Sequence, residues 1–234
     1  MRNETGYELA RALSAAARRF DAEQDVDATL RAITDTAVRT VPGVDHAGIS
    51  WVERRRFVPK AATHELVAHC DRLQSELGEG PCAQAIRTRG AVYVADMASE
   101  RRWPAFAPKA VERGVRSMVS VQLHAGAETL GALNLYALGA AIDPAALGVG
   151  ELFATHAAMA LTVKRRDDQL NRAVATRDVI GQAKGLLMAR EGIGPDAAFR
   201  LLVAASQDTN RRLAEVARML VEEHLRGVGD PPSA

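Results

Sequence analysis

A helical pattern runs without a break from residue 144 to residue 191, and it constrains this chain more than any other feature. A 3.5-residue seam passes through Leu152, His156, Met159, Val163, Arg166, Leu170, Ala173, Arg177, Ile180, Lys184 and Leu187, and seven of these eleven are apolar. One helix over that range would be about 70 Å long at about 1.5 Å per residue. A single globular domain rarely needs such an element, whereas a connector that dimerises as a coiled coil does. The seam is strong early and turns polar after Leu170.

Ahead of the helix the pattern is mixed. Leu9, Leu13, Ala16 and Phe20 fall on one helical face, and Leu30, Ile33, Ala37 and Val41 on a second, which Pro42 and Gly43 stop. Alternating sequence then predicts strands at 46–52 and 57–62, with Glu53-Arg54-Arg55-Arg56 as a solvated turn. A polar helical stretch at 64–76 leads into Gly78-Glu79-Gly80-Pro81-Cys82. A short helix is expected from Pro81, because proline suits the first turn. Residues 91–95 read as a strand and 101–113 as a broken helix. Residues 117–123 and 130–138 read as two strands around a turn at 124–127. Such an order indicates an α+β domain with a mostly antiparallel sheet.

Behind the long helix, Gly192 is expected to take the left-handed stop position, with Ile193 folding back on Met188 in a Schellman arrangement. Gly194-Pro195-Asp196 starts a second helix with Ala198, Leu201, Leu202 and Ala205 inward. Asp208-Thr209-Asn210 ends it and caps a third, with Leu213, Val216, Ala217 and Leu220 inward. The tail at 227–234 reads as disordered.

The formal net charge is +1 over 234 residues, so the whole-chain balance points to no nucleic acid. Between Arg165 and Arg226 there are eleven Lys/Arg against nine Asp/Glu, which counts against tight non-specific binding. The chain opens on a charged amphipathic stretch without an apolar signal core, and no apolar run approaches a membrane span. A cytoplasmic, reduced protein with no membrane partner is expected. Cys70 and Cys82 are then two free thiols. His46, His64, His69 and His124 show no metal spacing and are expected in loops or at the surface, so no metal site is expected.

The stretch Arg177-Asp178-Val179-Ile180-Gly181-Gln182-Ala183-Lys184-Gly185-Leu186-Leu187-Met188 resembles the first helix of an ANTAR module. Ala198-Phe199, Leu201-Leu202 and Ser206 resemble its second helix, and Arg211, Leu213 and Val216-Ala217 its third. The resemblance implies an all-α three-helix module at 162–226 whose first helix continues from a connector beginning near 144. It implies binding to paired stem-loops of nascent RNA, which prevents a terminator hairpin from forming, with no enzymatic chemistry. RNA stem-loops are read by shape, phosphate contacts and splayed bases. Lys184, Arg190, Arg211 and Arg212 are candidate charges for this, and Gln182 and Asn210 candidate polar readers. Arg177 either contacts phosphate or pairs with Asp178 or Asp208. Lys184 stands in the seam where a pure coiled coil wants an apolar side chain. Gly185 costs about 1 kcal/mol in a helix relative to Ala. It implies either close approach of RNA to the backbone or tight packing of a neighbouring helix.

Residues 1–161 resemble a GAF domain, a PAS-related sensor fold of antiparallel sheet and flanking helices. The resemblance is carried by Gly78-Glu79-Gly80-Pro81-Cys82 and by Leu130-Gly131-Ala132-Leu133-Asn134-Leu135-Tyr136. It implies a small-molecule ligand of unstated identity, or a protein signal, with no certain cofactor. Trp51, Tyr93, Trp103, Met118 and Cys82 are candidate ligand-pocket residues, or else core. The start of the Pro81 helix either holds an anion on free N–H groups or closes the domain as a tight turn. Cys82 there is expected to have a lowered pKa. No strand-terminal Asp/Lys set of a phosphoacceptor receiver is present.

Two other readings remain beside the homodimeric RNA regulator. One is a thiol-based GAF-fold enzyme or redox sensor using Cys70 and Cys82. The other is a DNA-binding regulator that places a helix pair in a groove.

Overall fold

The computed structural model describes residues 2–53 and 56–228. The chain divides into two compact units, Met1–Arg166 and Asp167–Ala234.

In the first unit the two expected N-terminal helices are α1 (Arg2–Ala22) and α2 (Val26–Thr40), the latter capped by the Asp25 carboxylate on the Ala28 N–H. Five strands follow in chain order: β1 (His46–Glu53), β2 (Arg56–Ala62), β3 (Ala91–Val94), β4 (Ser117–Ala125) and β5 (Glu128–Ala137). They form one sheet in the order β2-β1-β5-β4-β3, and every neighbouring pair is antiparallel. Between β2 and β3 lie α3 (Glu65–Leu77) and α4 (Pro81–Thr88). The turn at Arg54-Arg55 falls outside the described residues.

Side chains alternate between the two faces of a strand, and here the parity sorts the core into two layers. Ala47, Ile49, Val119, Val121, Leu123, Leu133 and Leu135 pack with Phe20, Ile33 and Phe153 on one side. Met118 and Tyr136 pack with Val67, Cys70, Trp103 and Phe106 on the other. Phe20 meets Phe153 edge-on, with ring centroids 5.6 Å apart. Because both faces of the sheet are covered, β4 and β5 are buried along most of their length rather than on alternate residues.

Three local expectations change. The helix expected at 101–113 is confined to α5 (Ala107–Glu112), preceded by a 3-10 turn at Met97–Ser99. Pro104 delays the start, since a proline disfavours helical backbone at the residue before it, whereas Pro108 is tolerated in the first turn of α5. The turn expected at 124–127 shrinks to two residues: Ala125 pairs with Glu128, and Gly126 takes φ +58°. A left-handed glycine at the first central position suits a tight hairpin. Third, His46 and His64 are stacked, 4.5 Å between rings, with His46 on β1 and His64 capping α3.

The long helix is α6 (Ala145–Glu191), 47 residues. One face of its first half is core, through Phe153, Ala154, Ala157, Ala158 and Leu161. The other carries the expected seam, with Leu152, Met159 and Val163 exposed and Leu170 exposed in the second unit. With both sides apolar, α6 is by length and composition alone long enough and apolar enough to cross a membrane, contrary to the expectation of no such run. Of its most apolar window, 39% is buried inside the fold.

The second unit is built from the end of α6, α7 (Pro195–Thr209) and α8 (Leu213–Val228). Its core is small: Ala183, Leu202 and Ala217, ringed by partly buried Val179, Ile180, Leu187, Val216 and Leu220. Gly192 takes φ +67° and donates its N–H to Met188 O at 3.0 Å. The stop is therefore a single-bond left-handed closure, without the Schellman bond expected from Ile193 among the described residues. Asn210 ends α7 in the left-handed conformation, φ +52°. It does not cap α8, whose first turn is closed on the Arg212 carbonyl. Gly227 and Val228 continue α8, so the tail expected to be disordered begins in helix; its remainder lies outside the described residues.

Candidate functional site

Two sites take shape, one in each unit. In the first, strand parity directs Ser50 of β1, Ser120 of β4 and Asn134 and Tyr136 of β5 to the α3 side of the sheet. Register makes Asn134 the partner of both Gly48 and Ser120. On α3 the buried face runs through Val67, Cys70, Asp71 and Gln74, a helical stripe whose last two members are polar.

These residues form a closed network. Tyr136 Oη donates to Asp71 Oδ1 at 2.5 Å, and Asn134 Nδ2 donates to the same oxygen at 2.9 Å. Ser120 Oγ donates to Asn134 Oδ1 at 2.8 Å. Gln74 Nε2 reaches Tyr136 Oη at 3.3 Å, and Gln74 Oε1 accepts the Cys82 N–H at 2.9 Å. Asp71 is wholly buried, and its Oδ2 has no hydrogen-bond partner among the described residues. Burial pushes the Asp71 carboxyl up to about 7, against the pull of hydrogen bonds from Tyr136 and Asn134. Burial lifts the Tyr136 phenol well above its ordinary range, and the neighbouring Asp71 adds to this.

The same network answers the question of Pro81. Gly80 caps α4 at φ +112°, and a Cβ there would stand 2.4 Å from Gln74 Oε1. The Cys82 N–H is already engaged by Gln74, and the Glu79 carboxylate accepts from Ala105 and Phe106 N–H groups at 2.9 and 3.3 Å. The segment is a tight turn that closes the domain. Cys82 does not have the lowered pKa expected of a helix start: burial first, and then Asp71, push its thiol up to about 12. Cys70 is pushed up to about 12 by burial and by Asp71.

The five residues expected around a ligand are not brought to one place. Trp51 and Tyr93 pack with the layer of α2 and α6. The Arg165 guanidinium lies 5.9 Å from the Trp51 ring, and Tyr93 Oη donates to Ile142 O at 2.6 Å. Met118 and Trp103 belong to the opposite layer, and Cys82 borders Asp71 there. Sequence reasoning missed Ser50, Asp71, Gln74, Ser120, Asn134 and Tyr136 as a group. The available signal was polar residues at inward parity within apolar strands, together with an Asp and a Gln on the Val67–Cys70 face of α3.

In the second unit the candidate RNA residues fall on three features. Arg177, Gln182 and Lys184 line a surface recess of about 480 Å³ together with Asp178, Gly181 and Phe199. Arg177 has no ion-pair partner among the described residues. Lys184 Nζ is 5.9 Å from the Phe199 ring centroid. Arg190 pairs with Glu191 at 3.5 Å and borders a separate groove lined by Leu186, Leu187, Leu220 and His224. Asn210, Arg211 and Arg212 are exposed at the α7–α8 turn, where Ser206 Oγ donates to Arg211 O at 2.5 Å and Arg211 Nη1 reaches Met219 Sδ at 2.9 Å. A Cβ built at Gly185, or at Gly181 one turn earlier, would meet nothing within 4 Å among the described residues. Packing of a neighbouring helix therefore does not account for Gly185, and a strip of bare helix backbone is left open.

Comparison with known proteins agrees with this division. Residues 23–162 match the GAF domain family, and residues 168–221 match the ANTAR domain family. No curated protein matches the chain. Among solved structures, the chain is similar to a free methionine-R-sulfoxide reductase from Neisseria meningitidis in complex with its substrate, at 18% identity and TM-score 0.55, covering 68% of this chain and 91% of that one. It is also similar to the GAF domain of an Acinetobacter phosphoenolpyruvate-protein phosphotransferase, at 13% identity and TM-score 0.55, covering 69% and 98%. A third is the chromophore-binding domain of a bacteriophytochrome from R. palustris, at 12% identity and TM-score 0.56, covering 70% and 63%. At these identities the likeness is one of fold.

Proposed function

The chain belongs to the GAF domain family and carries an ANTAR domain behind its sensor fold, and from that premise we propose that it is a transcription antitermination regulator acting on RNA. The ANTAR domain holds paired stem-loops of a nascent transcript, which keeps an overlapping terminator hairpin from forming. Binding one RNA fold in preference to another shifts the population, so no covalent step is needed.

One observation carries this reading. Three of the four side chains on α6 expected to meet RNA, Arg177, Gln182 and Lys184, share one recess, next to helix backbone left bare at Gly181 and Gly185; the fourth, Arg190, borders a separate groove. Cations and an amide beside open backbone suit a ligand that presents phosphates and base edges at close range. The near balance of charge in this unit favours recognition by shape over non-specific attraction.

The sensor input is assigned to the network around Asp71. Its members are buried, so a ligand atom would reach Asp71 Oδ2, which has no hydrogen-bond partner among the described residues, only where α3 parts from the sheet. The protein acts in the cytoplasm as a homodimer joined along the exposed seam of α6. Thiol chemistry is disfavoured, because Cys70 and Cys82 are both buried and their thiolates are suppressed.

The test is RNA capture by wild type and by Lys184→Ala, followed by a terminator read-through assay on the recovered sequences. Wild type is expected to recover paired stem-loops and raise read-through, and Lys184→Ala to lose both. Failure of wild type to recover such RNA, or preference for duplex DNA in salt-controlled competition, would overturn the proposal.

A further inference from the structure

We infer that Phe199 is the stacking platform for one unpaired nucleobase of the bound RNA, seated in the recess between its ring and α6. The inference rests on the RNA-binding reading above and names how that site takes its ligand.

Phe199 stands in the first turns of α7, between Ala198, which is buried in the core, and Leu202, which is also buried. Its own ring is left out of that core and is 41% exposed. A three-helix unit whose core is built from small residues and aliphatic side chains would gain from taking in such a ring. Its exposure beside cations calls for an external partner.

The recess has what a flat heteroaromatic ring needs. The Phe199 face offers stacking, which is tolerant of base identity and contributes substantially per base. Lys184 Nζ, 5.9 Å from the ring centroid, and Arg177, without an ion-pair partner among the described residues, line the same recess, within reach of the phosphates flanking an extruded nucleotide. Asp178 would repel a phosphate, but its carboxylate accepts hydrogen bonds from base amino and imino groups; the Gln182 amide can donate or accept. Gly181 has nothing within 4 Å of where a Cβ would stand, so a ring edge can lie against the helix itself. The volume of about 480 Å³ lies within the range of pockets that hold small molecules. A paired A-form stem cannot enter, because its bases are stacked and their edges recessed. A splayed loop base can.

The test uses the full chain and the paired stem-loop RNA that wild type recovers. Each loop nucleotide is replaced in turn by 2-aminopurine and, separately, by an abasic residue, and binding is measured to wild type, Phe199→Leu and Phe199→Trp. One loop position is expected to show quenched 2-aminopurine fluorescence on binding wild type. Phe199→Leu should weaken binding to intact RNA about tenfold or more, and Phe199→Trp should stay within about threefold of wild type. At the quenched position the abasic RNA should bind wild type as weakly as intact RNA binds Phe199→Leu, with no further loss when the two are combined. Equal binding of intact RNA by wild type and Phe199→Leu, or additive losses at every position, would overturn the stacking role while the RNA reading stands. Absence of quenching at every loop position would do so without any variant. If wild type binds no such RNA, both fall.

Discussion

Tyr136 Oη on β5 donates to Asp71 Oδ1 on α3 at 2.5 Å, in a part of the fold sealed from solvent. The bond joins the central strand to the helix that covers it, and it sets a polar cluster into the α3 side of the sheet, whose other side is packed with apolar side chains.

A pH dependence follows from that burial. The Asp71 carboxyl, ordinarily near 3.8, titrates at about 7 in the folded chain. Between these values the folded chain holds a proton that the unfolded chain has lost, so stability from this group is complete below about 3.8 and is lost as pH rises, levelling off above about 7. The loss is on the order of a few kcal/mol. In urea titrations across this window, Asp71→Asn should flatten the decline, and Tyr136→Phe should cost about 1–3 kcal/mol by leaving buried partners unsatisfied. An unchanged pH slope in Asp71→Asn would refute the assignment.

Two glycines should respond in opposite directions. A Cβ at Gly131 would lie 2.0 Å from the Ser50 carbonyl oxygen across the β1–β5 ladder. Because that neighbour is backbone, Gly131→Ala should destabilise by about 3 kcal/mol or more in thermal melts. Gly185→Ala meets open space and should stabilise the ANTAR unit by up to about 1 kcal/mol, while weakening RNA binding in the same preparation. Unimpaired RNA binding would remove close backbone approach from the account.

The thiols give a third expectation. Alkylation of Cys70 and Cys82 at about pH 8 should be slower in the folded chain than in denaturant by orders of magnitude, since both access and thiolate are suppressed. Labelling at the rate of an unstructured peptide would reopen the thiol-enzyme reading.

The fourth concerns self-association. Leu152, Met159, Val163, Leu170 and Val174 of α6 are each between 47% and 64% exposed. Along the sequence their seven- and four-residue spacing is that of a coiled-coil seam, the pattern a second copy of the same helix would take. Val163→Glu combined with Leu170→Glu should convert a dimer to a monomer in sedimentation velocity. A wild-type chain that sediments as a monomer with or without RNA would rule the dimer out.

Much of this protein was legible before any coordinates. Helical and strand periods located α2, β1, β5 and α6 because each has one residue spacing and one local meaning. Pro81, Gly192 and Pro195 marked element boundaries because backbone geometry is decided by the residue itself. The ANTAR and GAF phrases could be read because they are contiguous. The Asp71 network could not, because its members come from β1, α3, α4, β4 and β5 and meet only through the order β2-β1-β5-β4-β3. In a one-dimensional pattern a polar α3 looks solvated, and only the covering of that face by the sheet turns Asp71 and Gln74 inward. For the same reason parity, not residue type, sent Trp51 and Met118 to opposite layers. Phe199 was visible as a family residue, but that its ring stands outside the core beside Lys184 was decided by how α7 seats on α6. Local chemistry thus settled which elements form and where they stop. Which side chains meet was settled by packing, because contact depends on distance in space and not on separation along the chain.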